Sequence, residues 1–218
     1  MLRLVVPKGS LEKATFALFE SADLAIIRHS SVDYKASVDD PRIDEVRILR
    51  PQEIPIYVAE GLFDVGITGR DWVNETGADV VSLGELGYSK ATSLPIRVIV
   101  AVAGDSSVER IEDLKPGVRV ATEYPEMTRR YFAEKGIDAD IRLSYGATEA
   151  KIPDIADVVV DLTESGRALK AAGVAHYRHH PYEPHRGHRQ YGVVCRSGQA
   201  SRHGTDHDPA QWHPRSPR

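Results

Sequence analysis

Residues 158–172 read VVVDLTESGRALKAA, and this stretch decides the fold because a strand pattern passes directly into a helix pattern. The three valines form a β-branched run that is typical of a strand buried on both faces. In open α/β sheets, ligands lie beyond the carboxyl ends of the strands, where a helix N-terminus offers N–H groups to an anion. The stretch therefore predicts a phosphate-binding turn, and an ordinary turn capped by Ser165 is the alternative.

The same alternation of strand and helix patterns extends through most of the chain. Apolar runs predict strands, and apolar positions at helical spacing predict helices. Helices are expected at 11–22, 50–61, 107–114 and 125–136, and strands at 2–6, 93–103, 117–122, 139–144 and 157–162. The acidic turn at 39–41 predicts a hairpin. The alternation indicates an α/β fold with largely parallel sheets, arranged as two small lobes with a cleft between them, at 1–90 and 91–174.

Composition narrows the class of protein. Of the 218 residues, 41% are hydrophobic and 28% are charged, which is ordinary for a globular protein. The net charge of -4 argues against a nucleic-acid partner held by bulk charge. The single cysteine excludes a disulfide framework within the chain and fits a reducing compartment. No apolar stretch approaches the roughly 18 residues of a membrane span, and the N-terminus lacks a signal-peptide pattern, so we expect a cytoplasmic protein.

The composition changes abruptly after residue 174. Eight of the nine histidines and seven arginines lie beyond it, and no Leu, Ile, Phe or Met follows Leu169. A segment with so few large aliphatic side chains cannot bury enough surface to offset the entropy of ordering it. Residues 175–218 are therefore expected to form a disordered or non-native tail. Its histidines lack a metal-ligand framework, so no metal site is predicted, and metal binding by the tail is kept as an alternative.

Five segments occur in the order and at the spacing of one enzyme family. They are VPKGSLEKA (6–14), LRPQEIPIYVAEGLFDVGITGRDWV (49–73), GVRVATEYPEMTRRYF (117–132), YGATEA (145–150) and the opening stretch. Together they resemble ATP phosphoribosyltransferase, the first enzyme of histidine biosynthesis, over essentially all of residues 1–174. The resemblance implies two α/β lobes of the periplasmic-binding-protein type, with an active site in the cleft between them.

The resemblance also implies roles for individual residues. The 5'-phosphate of phosphoribosyl pyrophosphate (PRPP) would be held by Thr163, Glu164, Ser165, Gly166, Arg167 and Ala168. The carboxylates of Asp161 and Glu149 would face the ribose. The catalytic set would be completed by Lys8 and Arg50, which would neutralise pyrophosphate or triphosphate oxygens. Further residues serving the nucleotide would be Arg70, Asp71, Thr122 and Tyr124.

The implied reaction agrees with the residues present. In the family, N1 of ATP attacks C1 of PRPP and pyrophosphate leaves, so negative charge grows on the leaving group. Cations, N–H donors and Mg²⁺ bound with the phosphates suit such a step. It needs no strong nucleophile, and His29 is the only histidine before the tail. ATP and PRPP are thus the expected partners, and the family implies a homo-oligomer.

Two alternatives remain open for these residues. Lys8 and Arg50 would also be unremarkable as solvated surface charges, and Asp71 as a helix cap. A non-catalytic two-lobed module that binds a small molecule would share the fold without needing Lys8 or the turn at 161–166.

A further hypothesis concerns the tail. In the family, the chain crosses back after the position of Val174 and completes the first lobe. Codons for residues 180–192, HPYEPHRGHRQYG, can be re-read from their second base as IRTSRTGVIANTA, which has the aliphatic character of that return segment. The hypothesis is a change of reading frame that leaves the first lobe without its last strand and helix.

Overall fold

The structure is a computed structural model that describes residues 1–87, 97–163, 174–176 and 191–197, with the backbone alone for Arg97, Thr163 and 174–176. The chain divides into two compact units. The first comprises Met1–Ala91 with Gln190–Arg218, and the second comprises Thr92–Arg189. The predicted boundary at residue 90 lies outside the described residues. No helix in the described ranges is both long enough and apolar enough to cross a bilayer.

The first unit is built on a seven-stranded sheet with the strand order β2-β3-β4-β1-β5-β12-β6. Its strands are β1 (Leu2–Pro7), β2 (Ile26–Ile27), β3 (Lys35–Val38), β4 (Ile43–Leu49), β5 (Val65–Gly69), β6 (Val80–Leu86) and β12 (Tyr191–Arg196). Its helices are α1 (Glu12–Ser21), α2 (Ile54–Ala59) and α3 (Arg70–Thr76). Strand β1 pairs in parallel with β4 and β5, whereas β3 runs antiparallel to both β2 and β4.

Both faces of this sheet are covered because its central strands are apolar on both sides. On one face, Leu4 and Val6 pack with partly buried residues of α1, including Phe16 and Phe19. On the other face, Val5 packs with buried residues of α2, and Val73 of α3 borders the same cluster. The continuous apolar run of β1 is therefore explained by helices above and below it.

The second unit has a five-stranded sheet with the order β11-β7-β10-β8-β9. Its strands are β7 (Arg97–Ala103), β8 (Val118–Thr122), β9 (Ala139–Leu143), β10 (Val158–Thr163) and β11 (Val174–His176). One helix, α4 (Pro125–Glu134), and 3-10 turns at Ile111–Asp113 and Thr148–Lys151 complete the described elements. Strands β8, β9 and β10 are parallel, whereas β7 runs antiparallel to β10 and β11.

The α/β fold is confirmed, but two details of the prediction are wrong. Both sheets are mixed rather than largely parallel, since each contains antiparallel pairs. The helix expected at 107–114 is only a 3-10 turn. The side chains of Ser106 and Asp113 accept hydrogen bonds from the backbone N–H groups of Val108 and Arg110, at 3.2 and 3.0 Å. Such local bonds compete with those of a helix.

The tail supplies a strand that the sequence analysis did not predict. Strand β12 lies inside the first sheet, antiparallel to β5 on one side and to β6 on the other. Tyr191, Val194 and Cys195 are 4–5% exposed. The run YGVVC is short, but it has a neighbouring strand on each side. Hydrogen bonds to these two strands pair the N–H and C=O groups of its backbone, which stabilises so short a strand. The expectation that the first unit lacks its last strand is therefore corrected, and most of the remaining tail lies outside the described residues.

The only cysteine of the chain provides a test of this placement. Burial raises the pKa of the Cys195 thiol, and its exposure is 5%. Because the thiolate is the reactive form, we expect 5,5'-dithiobis(2-nitrobenzoate) to react on the order of 100-fold more slowly with the native chain than with the chain in urea. A stopped-flow measurement of both rates would show a fast native reaction if β12 were not in the sheet.

Helix α2 approaches β5 closely at Gly66. A Cβ atom at this position would lie 2.7 Å from Ile54 Cγ2 and 2.9 Å from Val58 Cγ2. Both of those side chains are completely buried, so they have little room to move. Glycine is required here by the close packing of the helix on the strand.

We therefore expect Gly66→Ala to destabilise the first unit by about 1–3 kcal/mol through overpacking. The matched control is Gly87→Ala, because a Cβ atom there meets nothing within 4 Å. Urea denaturation followed by circular dichroism should show a lower midpoint for the first variant only. Equal midpoints for both variants would contradict the tight packing of α2.

Candidate functional site

Three basic residues lie at the carboxyl ends of neighbouring strands in the first unit. Lys8 follows β1 and Arg50 follows β4, and these strands pair in parallel with Pro7 opposite Leu49. The backbone N–H of Lys8 donates to the carbonyl of Leu49 at 2.7 Å. Arg70 follows β5, the other neighbour of β1. The sequence-predicted cations are thus brought to the edge at which α/β sheets bind ligands.

The turn that carries Arg50 follows β4 and is held by a residue of β5, which lies beyond β1 in the sheet. Thr68, which is 1% exposed, donates its hydroxyl to the carbonyl of Pro51 at 2.8 Å. The N–H of Glu53 donates to the carbonyl of Arg50 at 3.0 Å, which closes the turn before α2. The backbone of Arg50 is therefore fixed, while its side chain is exposed.

Tyr34 belongs to the same group of residues, although the sequence analysis missed it. The ammonium Nζ of Lys8 lies 4.0 Å from the centroid of its ring. The nearby Lys8 ammonium, followed by the charge of Arg50, holds the pKa of the Tyr34 hydroxyl below its ordinary value. Tyr34 lies in no motif, and only the strand pairing brings it beside the other two residues.

Asp71 lies close to the backbone of Gly69 rather than out in solvent. Its side chain is buried, and a Cβ atom on Gly69 would lie 2.0 Å from its Oδ1 atom. Gly69 is also opposite Tyr191 of β12. The N-cap position of α3 is Gly69, and Asp71 lies within the first turn, so Asp71 is not the N-cap residue. Contact between Asp71 and a nucleotide stays a prediction.

In the second unit, buried hydroxyl groups fix the carboxyl ends of β8 and β9. The hydroxyl of Thr122 accepts a bond from the N–H of Tyr124 at 2.9 Å, and Thr128 donates to the carbonyl of Tyr124 at 2.6 Å. The N–H of Ser144 donates to the carbonyl of Thr122 at 2.7 Å. Thr122 and Tyr124 are 0% and 1% exposed. They therefore fix the start of α4 from the interior, and their contact with a nucleotide stays a prediction.

The hydroxyl contacts continue into the turn that carries Glu149. Ser144 and Thr148 are each 1% exposed, and their side-chain oxygens lie 2.9 Å apart. The ammonium of Lys151 donates to the same Ser144 hydroxyl. These contacts hold both ends of the 3-10 turn, so the half-buried Glu149 side chain projects from a fixed backbone. Ser144, Thr148 and Lys151 were not predicted from the sequence, in which hydroxyl residues carry no periodic signal.

Strand β10 carries the other predicted carboxylate. Asp161 is half-buried and lies opposite Ile99 of β7, and its Oδ1 atom accepts a bond from the N–H of Leu162 at 2.7 Å. The strand ends at Thr163, where the phosphate-binding turn was predicted to begin. The rest of that turn, Glu164, Ser165, Gly166, Arg167 and Ala168, lies outside the described residues. The strand is confirmed, and the turn stays a prediction.

Side chains that could ligate a metal are dispersed over the described part of the chain. Within it, no three His, Cys, Asp or Glu side chains come together as a group that could hold a metal ion. The carboxylates of Asp161 and Glu149 belong to different elements of the second unit. The histidine-rich residues at 177–190 and beyond 197 lie outside the described ranges.

The two α/β units, with polar residues at the carboxyl ends of their parallel strands, have a fold of the periplasmic-binding-protein type. A histidine kinase sensor domain with similarity to periplasmic binding proteins has a TM-score of 0.54 at 14% identity and covers 92% of this chain and 84% of its own. The ATP phosphoribosyl transferase (HisG:HisZ) complex from Thermotoga maritima gives 0.73 at 24% identity, with 92% of this chain and 90% of that chain covered. These likenesses confirm the predicted fold class.

Sequence comparison identifies the family. The family model for ATP phosphoribosyltransferase matches residues 50–179. The ATP phosphoribosyltransferase of Desulforudis audaxviator is 47% identical over 172 residues, which cover 78% of this chain and 58% of that protein. The chain belongs to the ATP phosphoribosyltransferase family. It spans a little more than half the length of the curated relatives that it matches.

The contribution of the buried hydroxyl contacts can be measured with Ser144→Ala. Removing this hydroxyl takes a bond from both Lys151 and Thr148, so we expect the second unit to lose about 1–3 kcal/mol of stability. Ser106→Ala is the control, because its hydroxyl bond to Val108 is exposed and should change stability by less than about 0.5 kcal/mol. Chemical denaturation of both variants gives the comparison, and a loss no larger at Ser144 than at Ser106 would contradict the assigned role.

Proposed function

We propose that the chain catalyses transfer of the phosphoribosyl group of PRPP to N1 of ATP with release of pyrophosphate, the first step of histidine biosynthesis. The observation that carries the proposal is the adjacency of Lys8 and Arg50 at the ends of β1 and β4 in a chain of this family. The adjacency matters because both substrates and the leaving group are polyphosphates.

Lys8 and Arg50 suit phosphate oxygens because no carboxylate among the described residues forms an ion pair with either side chain. Among the described residues, no carboxylate oxygen lies within 4.0 Å of the charged nitrogens of Lys8 or Arg50, whereas at least eight other basic residues have such a partner. In the proposed reaction, negative charge grows on the leaving pyrophosphate. Cations already in place stabilise that charge without reorganising.

The second unit contributes the groups that suit the ribose. Asp161 and Glu149 are half-buried carboxylates on a strand and on a turn that packs against it. Carboxylates accept hydrogen bonds from the vicinal hydroxyls of a ribose, and they stabilise positive charge that develops on the ring. The turn at 163–168 would hold the 5'-phosphate.

Mg²⁺ would enter as part of the substrate complex. This ion prefers oxygen ligands and keeps several waters, so proteins bind it through one or two carboxylates together with substrate phosphates. Asp161 and Glu149 are half-buried carboxylates of the kind that this mode would use. The bound ion would neutralise phosphate charge, while Asp161 and Glu149 orient the ribose.

The cellular setting is part of the same proposal. A single cysteine that is buried in the sheet fits a reducing compartment, and we propose the cytoplasm. We also propose that the chain forms a homo-oligomer, which size-exclusion chromatography with light scattering would test.

Turnover by the purified chain is the test of the proposal. We expect PRPP and ATP together, with Mg²⁺, to give an ultraviolet absorbance change that neither substrate gives alone. Lys8→Met and Arg50→Gln should each lower kcat/KM about 10- to 100-fold, since each removes a charged donor to phosphate. Lys13→Met is the matched control, because Lys13 is an exposed lysine of the same unit.

Two results would contradict the proposal in different ways. Binding of ATP or PRPP without any product would support the alternative of a non-catalytic binding module. Turnover that Lys8→Met and Lys13→Met leave equally unchanged would agree with the proposed reaction, but it would contradict the catalytic role proposed for Lys8.

A further inference from the structure

Tyr34 and Lys8 are held on the two sides of the same strand. Tyr34 immediately precedes β3 and Lys8 immediately follows β1, and both strands flank β4. The carbonyl of Tyr34 accepts a bond from the N–H of Ile48 at 2.9 Å, and the N–H of Lys8 donates to the carbonyl of Leu49 at 2.7 Å. Neighbouring residues of β4 thus fix the backbones of both partners, and Arg50 follows between them.

The side chains meet as a cation over an aromatic face. Lys8 Nζ lies 4.0 Å from the centroid of the Tyr34 ring, within the roughly 6 Å over which the ring quadrupole attracts an ammonium. Tyr34 is 52% exposed and Lys8 is half-buried, so the contact lies at the surface. The charge of Lys8, and more weakly that of Arg50, lowers the pKa of the Tyr34 hydroxyl, in agreement with the ring contact of Lys8.

The chemical nature of its partner determines whether the Lys8 ammonium can still bind an anion. A carboxylate at this position would neutralise Lys8 and compete with an incoming anion. An aromatic face attracts the ammonium but carries no net charge, so it restricts the side chain and leaves the positive charge in place. Among the described residues, no carboxylate oxygen approaches Lys8 Nζ within 4.0 Å.

We propose that Tyr34 is a positioning residue, whose ring holds the Lys8 ammonium in the orientation that receives a phosphate oxygen of a polyphosphate. The inference rests on the proposed function for the identity of the polyphosphate. The contact itself and its effect on anion binding do not depend on turnover, so they can be measured even in a chain that makes no product.

The contact can be observed directly by nuclear magnetic resonance. Reductive methylation with ¹³C-formaldehyde labels lysines and retains their charge, and the resonance missing from Lys8→Arg identifies Lys8. The ring current of Tyr34 should shift this resonance upfield in the wild type and in Tyr34→Phe, and the shift should be lost in Tyr34→Leu. A Lys8 resonance that Tyr34→Leu leaves unchanged would overturn the proposal.

The functional consequence is measured by titrating inorganic tripolyphosphate calorimetrically. We expect Tyr34→Leu to weaken its binding about 3- to 5-fold, which corresponds to an exposed cation–π contact, and Tyr34→Phe to stay within about 2-fold of the wild type. In a Lys8→Met background, Tyr34→Leu should cause no further loss, since the ring then has no cation to hold. Val32→Ala, an exposed change in the same segment, should have no effect.

Each other outcome contradicts the positioning role. Equal losses in Tyr34→Phe and Tyr34→Leu would assign the effect to the hydroxyl, and additive losses with Lys8→Met would show that Tyr34 acts independently of Lys8. A wild-type chain that binds no tripolyphosphate through Lys8 would also overturn the inference. Failure of the proposed function is separate, because it would appear as missing product while the resonance shift and the tripolyphosphate data remained.

Discussion

The parallel pairing of β1 with β4 is the interaction on which the candidate site of the first unit depends. Its register places Pro7 opposite Leu49, so both strands end at the same level. The basic residues that follow them, Lys8 and Arg50, therefore lie at the same edge of the sheet. A shift of one residue would send alternate side chains to the opposite face and would separate the two cations. The register is protected because Val5 and Val6 are completely buried on opposite faces of the sheet.

A second constraint links the far end of the sequence to this edge. Strand β12 pairs with β5 so that Tyr191 lies opposite Gly69, and the Asp71 side chain lies above the same glycine. The space that a methyl group on Gly69 would need is already taken by Asp71, with Tyr191 Cε1 at 3.4 Å. The start of α3 and the tail-derived strand are therefore packed as one assembly. A substitution in β12 that moved Gly69 would therefore also move the Asp71 side chain.

The sequence predicted those features that local burial controls. Apolar runs located β1, β7 and β10 within one to four residues, since a buried strand needs such a run whatever its partners are. Strand direction was not predictable, because β7 has the same composition whether its neighbours run parallel or antiparallel to it. Strand β12 was missed for a related reason: its few apolar residues suffice only because β5 and β6 flank it.

The candidate site shows the same difference between features that the local sequence determines and features that depend on distant partners. Lys8, Arg50 and Arg70 were predicted from the family resemblance, and the strands that they follow end at one edge of the sheet. Tyr34 and Ser144 were missed because their roles arise from partners distant in sequence, Lys8 for the first and Lys151 for the second.

These two missed residues share a physical property. Each holds a lysine ammonium with an uncharged group, a ring face in the first unit and a hydroxyl in the second. A carboxylate would bind the ammonium more strongly, but it would also cancel the positive charge. Its own negative charge would then repel an incoming phosphate. Uncharged partners remove conformational freedom from the lysine while keeping its field. For a chain proposed to bind two polyphosphates, positioning without neutralisation keeps the basic edge available to its substrates.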